Sequence, residues 1–172
     1  EYKEIREAIL NQESMPSMRL IQFAGLPARK TNVCAYNCSF IAPSSFQDFG
    51  EIVYISMCGT GVGYTVESKN IQALPQIKLQ SGKKLPVYVV PDSKEGWADA
   101  LVFGMKTWFE GNDVEFDYSQ LRPAGARLKI MGGKSSGPQP LIDLITFTRE
   151  RILRRQGRHL RNIDAHDIIC KI

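Results

Sequence analysis

Apolar positions recur at helical spacing along several stretches of this chain, and short apolar runs separate them. Residues 2 to 11 are strong helix formers with Ile5, Ile9 and Leu10 on one face, which predicts an amphipathic helix broken by Met15-Pro16-Ser17-Met18-Arg19. Leu20 to Gly25 reads equally as strand or helix, Leu26 to Lys30 as a turn, and Cys38 to Ala42 as a short strand. Ser44-Ser45-Phe46 has the composition of an N-cap, opening a helix that runs to Ile55 or Met57 and stops at Gly59. Tyr64 to Glu67 is a further short strand, and Gln72 to Leu85 a polar, Lys-containing loop with its tip at Ser81 to Lys84. Val87 to Val90 is a compact apolar strand. Pro91-Asp92-Ser93 then caps a helix over 94 to 110, with Trp97, Leu101, Met105 and Trp108 on its buried face. Glu115 to Tyr118 is a strand, and a Gly-punctuated loop over 121 to 138 surrounds another. Pro140 precedes an amphipathic helix from about Leu141 to Gln156 that Gly157 ends, and Asn162-Ile163-Asp164 caps a last helix. The order predicts a mixed α/β fold with one continuous core, without internal repeat or linker.

Composition narrows the class. The chain has 172 residues, 43% hydrophobic and 23% charged, which fits one ordinary domain and excludes a disordered tail. No apolar run approaches the roughly 20 residues of a membrane span, and the charged start is unlike a signal peptide, so the reading is soluble, cytoplasmic and without a membrane partner. The net charge of +4 favours anionic ligands without requiring direct nucleic-acid binding. Much of it sits in Arg149, Arg151, Arg154, Arg155, Arg158 and Arg161, read as the solvated face of a helix. The ends, without an initiator Met and with an apolar-periodic close at Ile172, are read as those of one partial domain over 1 to 172, truncated on both sides.

The candidate chemistry centres on Cys38. Its neighbours Asn37 and Ser39 are polar and alternate with Tyr36 and Phe40, an odd setting for an inert core thiol. The four cysteines and two histidines have no metal-ligand spacing, so no metal site is expected, and reduced thiols are the default. Gly59-Thr60-Gly61-Val62-Gly63 permits close backbone approach to a ribose or phosphate, although it is not a phosphate-binding Walker loop. Gly132, Gly133, Lys134, Ser135 and Ser136 combine hydroxyls, a cation and glycines in a composition suited to nucleotide contact or to a plain surface loop. Asp92, Glu95 and Asp99 complement a helix start, and His159 and His166 read as surface or capping residues.

Seven segments in order then carry a resemblance. Met15 to Arg19, Tyr36 to Phe40, Met57 to Glu67, Val90 to Trp97, Leu121 to Lys129, Gly132 to Pro138 and Asp164 to Ile168 resemble the adenosylcobalamin-dependent ribonucleotide reductases, in the ribonucleoside-triphosphate reductase branch. The resemblance implies the first portion of a ten-stranded α/β barrel in which a cysteine radical, initiated by adenosylcobalamin, removes the 3′ hydrogen of a ribonucleotide and a cysteine pair reduces the 2′ carbon. It makes Cys38 the first member of the reducing pair, with Asn37 and Ser39 lining the substrate pocket and the Thr60-Gly61 backbone holding the substrate. It makes Gly132 to Ser136 part of the loop through which a deoxynucleotide effector tunes substrate choice, and it implies a thioredoxin-type dithiol reductant.

Other family features have no counterpart among these residues. The radical-bearing Asn-Pro-Cys-Gly-Glu-type motif, the second reducing cysteine, the shuttle cysteines and the Val-Val-x-Gly-x-Val-Arg-Arg-Ser pattern all follow, in the family, the position of Ile172. Cys34, Cys58 and Cys170 do not match them in context, and no residue here is assignable to the cobalamin. The chain is therefore expected to need the remainder of the barrel, as further sequence or a second chain. Two alternatives stay open: the large subunit of an oxygen-dependent ribonucleotide reductase, and a non-catalytic nucleotide-binding or assembly module.

Overall fold

The computed structural model describes residues 1–128 and 132–172. Two parallel strand pairs, each joined through a helix, organise it. Strand β1 (Cys38–Ile41) leads through a helix, Phe46–Met57, to β2 (Gly61–Tyr64), and the strands pair in parallel with Cys38 opposite Gly61. Strand β3 (Tyr88–Val89) leads through a second helix, Lys94–Phe109, to β4 (Phe116–Asp117), again in parallel. A parallel pair cannot close on a tight turn, so each helix is the obligatory crossover of its unit. Counted along the chain, the helices are α1 (Tyr2–Leu10), α2 (Met18–Phe23), α3 (Leu26–Lys30), α4 (Phe46–Met57), α5 (Ser68–Ile71), α6 (Lys94–Phe109), α7 (Gln139–Leu153) and α8 (Asn162–Lys171).

Local signals explain where the crossover helices begin. Ser45 and Asp48 form a capping box at α4, and the Asp48 carboxylate accepts from the Ser44 and Ser45 amides at 2.7 and 2.8 Å. Ser93 accepts from the Gly96 amide at 2.9 Å to start α6. Both starts agree with the sequence pattern. Helix α6 is buried almost all round, with Leu101, Met105 and Trp108 fully covered, because α4 packs on one side and α7 on another. A methyl placed on Gly50 would lie 2.5 Å from Val102 Cγ2 and 3.3 Å from the Ala98 carbonyl, so the α4 backbone rests directly on α6.

Elsewhere the structure departs from the pattern. Leu20 to Gly25 is helical (α2), and the expected turn at Leu26 to Lys30 is the short helix α3. The strand expected over Tyr64 to Glu67 lies earlier, over the glycine-rich Gly61–Tyr64, since pairing with β1 and not side-chain propensity places it. The loop expected to be polar over 72 to 85 sends Leu74 and Ile77 into the core. Helix α1 buries none of its residues, so Ile5 and Leu10 stand exposed despite their shared face. The short strand expected within 121 to 138 includes residues 129–131, which lie outside the described residues.

The arginine cluster is solvated only in part. Arg154, Arg158 and Arg161 are exposed, whereas others are drawn into ion pairs: Arg149 grips Asp113 through Nε at 2.9 Å and Nη2 at 2.6 Å, and Arg151 meets Asp167 at 3.1 Å. Arg161 holds both oxygens of the buried Asp164 at 2.7 Å, with Arg155 at 3.9 Å. The Arg161 hydrogen bonds hold the Asp164 carboxyl below its ordinary range against the opposing effect of burial, and Arg149 does the same for Asp113.

Two predictions follow from this packing. Gly50→Ala should destabilise the protein by about 1–3 kcal/mol, read from the denaturant midpoint, since α4 and α6 must separate to admit the methyl. For Asp164, a depressed carboxyl pKa contributes stability at pH values above the ordinary aspartate range, and that stability is lost as pH falls through the native-state value. Asp164→Asn should therefore cost roughly 3 kcal/mol at neutral pH, and the variant's unfolding midpoint should fall less steeply on acidification than that of the parent.

Candidate functional site

The β1–β2 pair has two unlike faces. Ile41, Val62 and Tyr64 pack against the core, whereas Cys38, Phe40, Gly61 and Gly63 lie on the exposed face. Side chains alternate along a strand and paired residues share a side, so the thiol of Cys38 has glycine beside it and not a side chain. The result is a free, exposed sulfur on hydrogen-bonded backbone, next to an open strip of β2.

The neighbouring residues hold this strip in place. Thr60 is 3% exposed, and its hydroxyl lies 3.0 Å from the Val33 carbonyl and 2.9 Å from that of Tyr36, fastening the start of β2 to the segment that enters β1. Ser39 Oγ donates to the Gly61 carbonyl at 3.2 Å. The amide of Gly61 donates to the Asn37 carbonyl at 2.9 Å, and that of Thr60 reaches the Ile55 carbonyl at 3.3 Å. The amides of Gly59, Thr60 and Gly61 are thus used inside the fold, because the run leads into a strand and not into a phosphate cradle. Gly59 alone of its three glycines has a positive φ, 78°, and turns the chain from α4 into β2.

Asn37 stands at the rim of a depression of about 520 Å³ that Met18, Arg19, Ile21 and Gln22 also line. Arg19 Nε donates to Asn37 Oδ1 at 2.9 Å, and its guanidinium carbon lies 5.3 Å from the centre of the Phe23 ring. Arg19 closes the first of the resembling segments, but the sequence reading gave it no place in the site. A signal was present: residues 14 to 47 contain Arg19, Arg29 and Lys30 and no Asp or Glu, an anion-favouring stretch that includes the thiol.

The other candidates lie apart. Gly132, Gly133, Lys134, Ser135 and Ser136 fold back on 124 to 128: Gly125 N donates to the Ser135 carbonyl at 2.9 Å, Ser135 N to Ala126 at 2.8 Å, and Leu128 N to Gly133 at 3.0 Å. Ser135 Oγ accepts from the Gly137 amide at 3.0 Å. Among the described residues no hydrogen bond joins this hairpin to β1 or β2. Cys34 and Cys58 are fully buried, the latter with Lys94 Nζ 3.4 Å from its sulfur. Cys170 lies 3.1 Å from the Tyr64 hydroxyl and 3.6 Å from His166 Nε2. Burial first, and then this contact, push the Tyr64 hydroxyl up to about 12. His166 therefore has partners that the sequence did not reveal, and His159 Nδ1 lies 3.2 Å from the Leu74 carbonyl. No group of three or more His, Cys, Asp or Glu among the described residues is placed to hold a metal ion, and no described helix is long and apolar enough to cross a membrane.

In fold, the chain matches the crystal structure of a B-12 dependent (class II) ribonucleotide reductase, with a TM-score of 0.81 over 96% of this chain and 31% of that one, at 22% identity. The mixed α/β architecture is that of part of a class II reductase. Residues 61–152 match the family model for the insertion domain of B12-dependent ribonucleotide reductases, and the chain belongs to that family. An adenosylcobalamin-dependent ribonucleoside-triphosphate reductase of Euglena gracilis is 32% identical, covering 94% of this chain and 23% of its own length. The enzyme of the same name from Lactobacillus leichmannii is 25% identical over 98% of this chain and 30% of its own. The chain thus spans less than a third of the relatives it matches.

Thr60→Val keeps the shape of the side chain and removes the hydroxyl that joins the two strand entries. It should lower stability by about 1–3 kcal/mol in thermal unfolding, as the Val33 and Tyr36 carbonyls lose a buried donor.

Proposed function

We propose that the full-length protein is an adenosylcobalamin-dependent ribonucleoside-triphosphate reductase, and that residues 1 to 172 contribute to it one partial domain carrying a reducing cysteine and part of the nucleotide site. The observation that supports this most is the exposed thiol of Cys38 on a hydrogen-bonded strand beside the glycines of β2. A reductant of a sugar carbon needs its sulfur held rigidly within reach of the ring, and a strand position with glycine directly opposite it meets that need, with Phe40 next along the same face. In the net reaction the 2′ hydroxyl leaves as water, a hydrogen takes its place, and two thiols give up two electrons and close a disulfide. Cys34 and Cys58 are buried, and Cys170 contacts Tyr64, a side chain of the core-facing side of β2. The second sulfur is assigned to the remainder of the enzyme.

Of the two polar residues flanking the thiol, Asn37 is the exposed one, and it is assigned to contact with the substrate. Ser39, Thr60 and Gly61 form the floor under it, through their hydrogen bonds and not through free amides. The hairpin carrying Gly132 to Ser136 is assigned to the deoxynucleotide effector, and a thioredoxin-type dithiol to regeneration of the cysteine pair, in the cytoplasm. The exposed Tyr36, Phe40, Val87 and Val89 are the surfaces that the rest of the barrel would cover. When bound, adenosylcobalamin supplies the radical initiation. No described residue is assigned to the cobalamin, and no step is routed through it. The matches to cobalamin-dependent relatives favour this reading over an oxygen-dependent enzyme with a metal-bearing subunit, and over a non-catalytic nucleotide-binding module.

The test is ribonucleoside-triphosphate reduction by the full-length protein with adenosylcobalamin and a dithiol, with no second subunit. Cys38→Ser should abolish multiple turnovers while leaving the unfolding midpoint unchanged. Steady-state reduction retained by the variant would rule out the reducing role, and activity only with an oxygen-dependent metal subunit would rule out the cobalamin branch.

A further inference from the structure

Building on that reading of the site, we propose that Arg19 is a positioning residue: it fixes the side-chain amide of Asn37 so that the two N–H donors, and not the carbonyl, face the depression that Asn37 lines, where the sugar is taken to enter. A guanidinium has five donors and no acceptor, so whatever group of Asn37 meets Arg19 Nε at 2.9 Å must be its carbonyl oxygen. The amide is planar, and Nδ2 is then directed away from the guanidinium. Among the described residues Nδ2 has no hydrogen-bond partner, and it sits on an exposed residue at the rim of the 520 Å³ depression.

Three contacts keep the guanidinium where this requires. The Phe23 ring, itself 5% exposed, lies 5.3 Å beneath its central carbon. Gly59 leaves room on another side, since a methyl there would come within 3.2 Å of Nη1. The third contact is Asn37, whose backbone is already pinned by the hydrogen bond from Gly61 N to its carbonyl. The two side-chain torsions of Asn37 are its remaining freedom, and Arg19 removes it. Asn37 thereby recognises an acceptor oxygen, a hydroxyl of the ribose, and rejects a group that can only donate.

A double-mutant cycle on the full-length protein tests this. Arg19→Met and Asn37→Ala should each lower kcat/KM for ribonucleotide reduction about tenfold, the loss of one hydrogen bond. The double variant should also lose about tenfold, because Arg19 acts through Asn37. Asn37→Asp, which still accepts from Arg19 but has no donor, should match Asn37→Ala in kcat/KM while keeping the parent's Tm, and Arg19→Lys, a single flexible donor, should fall between parent and Arg19→Met. A double variant down about a hundredfold, or Asn37→Asp with parental kcat/KM, overturns the proposal. If the parent protein reduces no ribonucleotide, the underlying reading fails instead. The same cycle is then read from the equilibrium affinity for a ribonucleoside triphosphate, with non-additivity again supporting the role of Arg19 and additivity overturning it.

Discussion

The direct contact of α4 with α6 at Gly50 is the constraint on which the rest depends. Each helix is the crossover of one parallel strand pair, so the distance between the helices sets the distance between the pairs. With glycine at 50 the backbone of α4 meets Val102 and Ala98 without an intervening side chain. Trp108, Met105 and Leu101 then fill the space behind α6, where α7 and α8 close the core. The β1–β2 pair has one neighbour per strand and lies over this helical layer, so its exposed face is as firmly placed as the helices beneath it.

The site is built by the same economy of small residues. Gly59 turns the chain, Gly61 and Gly63 leave β2 bare, and Thr60 spends its hydroxyl on the carbonyls of two residues just before β1. Rigidity around Cys38 comes from backbone bonds and one buried hydroxyl, while the side chains of Cys38 and Asn37 stay exposed. The arginines of α7 and the turn beyond it serve a different end. They neutralise Asp113, Asp164 and Asp167, and so tie the end of the chain to its middle.

Much of this was legible in the sequence where the cause is local. Ser45 with Asp48, and Ser93 with Gly96, mark helix starts whose hydrogen bonds lie within a few residues, and the short strand opening at Cys38 was legible too, although its exposed side carries Cys38 and Phe40 and not the polar Ser39. What was hidden depends on partners far along the chain. Gly61–Tyr64 has poor strand propensity and becomes a strand because β1 lies beside it. Arg19 meets Asn37, eighteen residues away, only because α2 brings it there. Arg149 looked solvated until Asp113, thirty-six residues earlier, came within 2.6 Å. The insertion-domain match over 61–152 has no boundary signal in composition, since α6 joins the same core as α4.

The parallel pairing of β1 with β2 also has a kinetic meaning. Antiparallel strands can zip from a hairpin, but these two must wait for the intervening helix to form and dock. The thiol of Cys38 therefore has its complete setting only once α4 has formed and brought β2 alongside β1. Until then it belongs to a mobile segment, where it is as open to stray oxidants and wrong sulfur partners as any thiol in an unfolded chain.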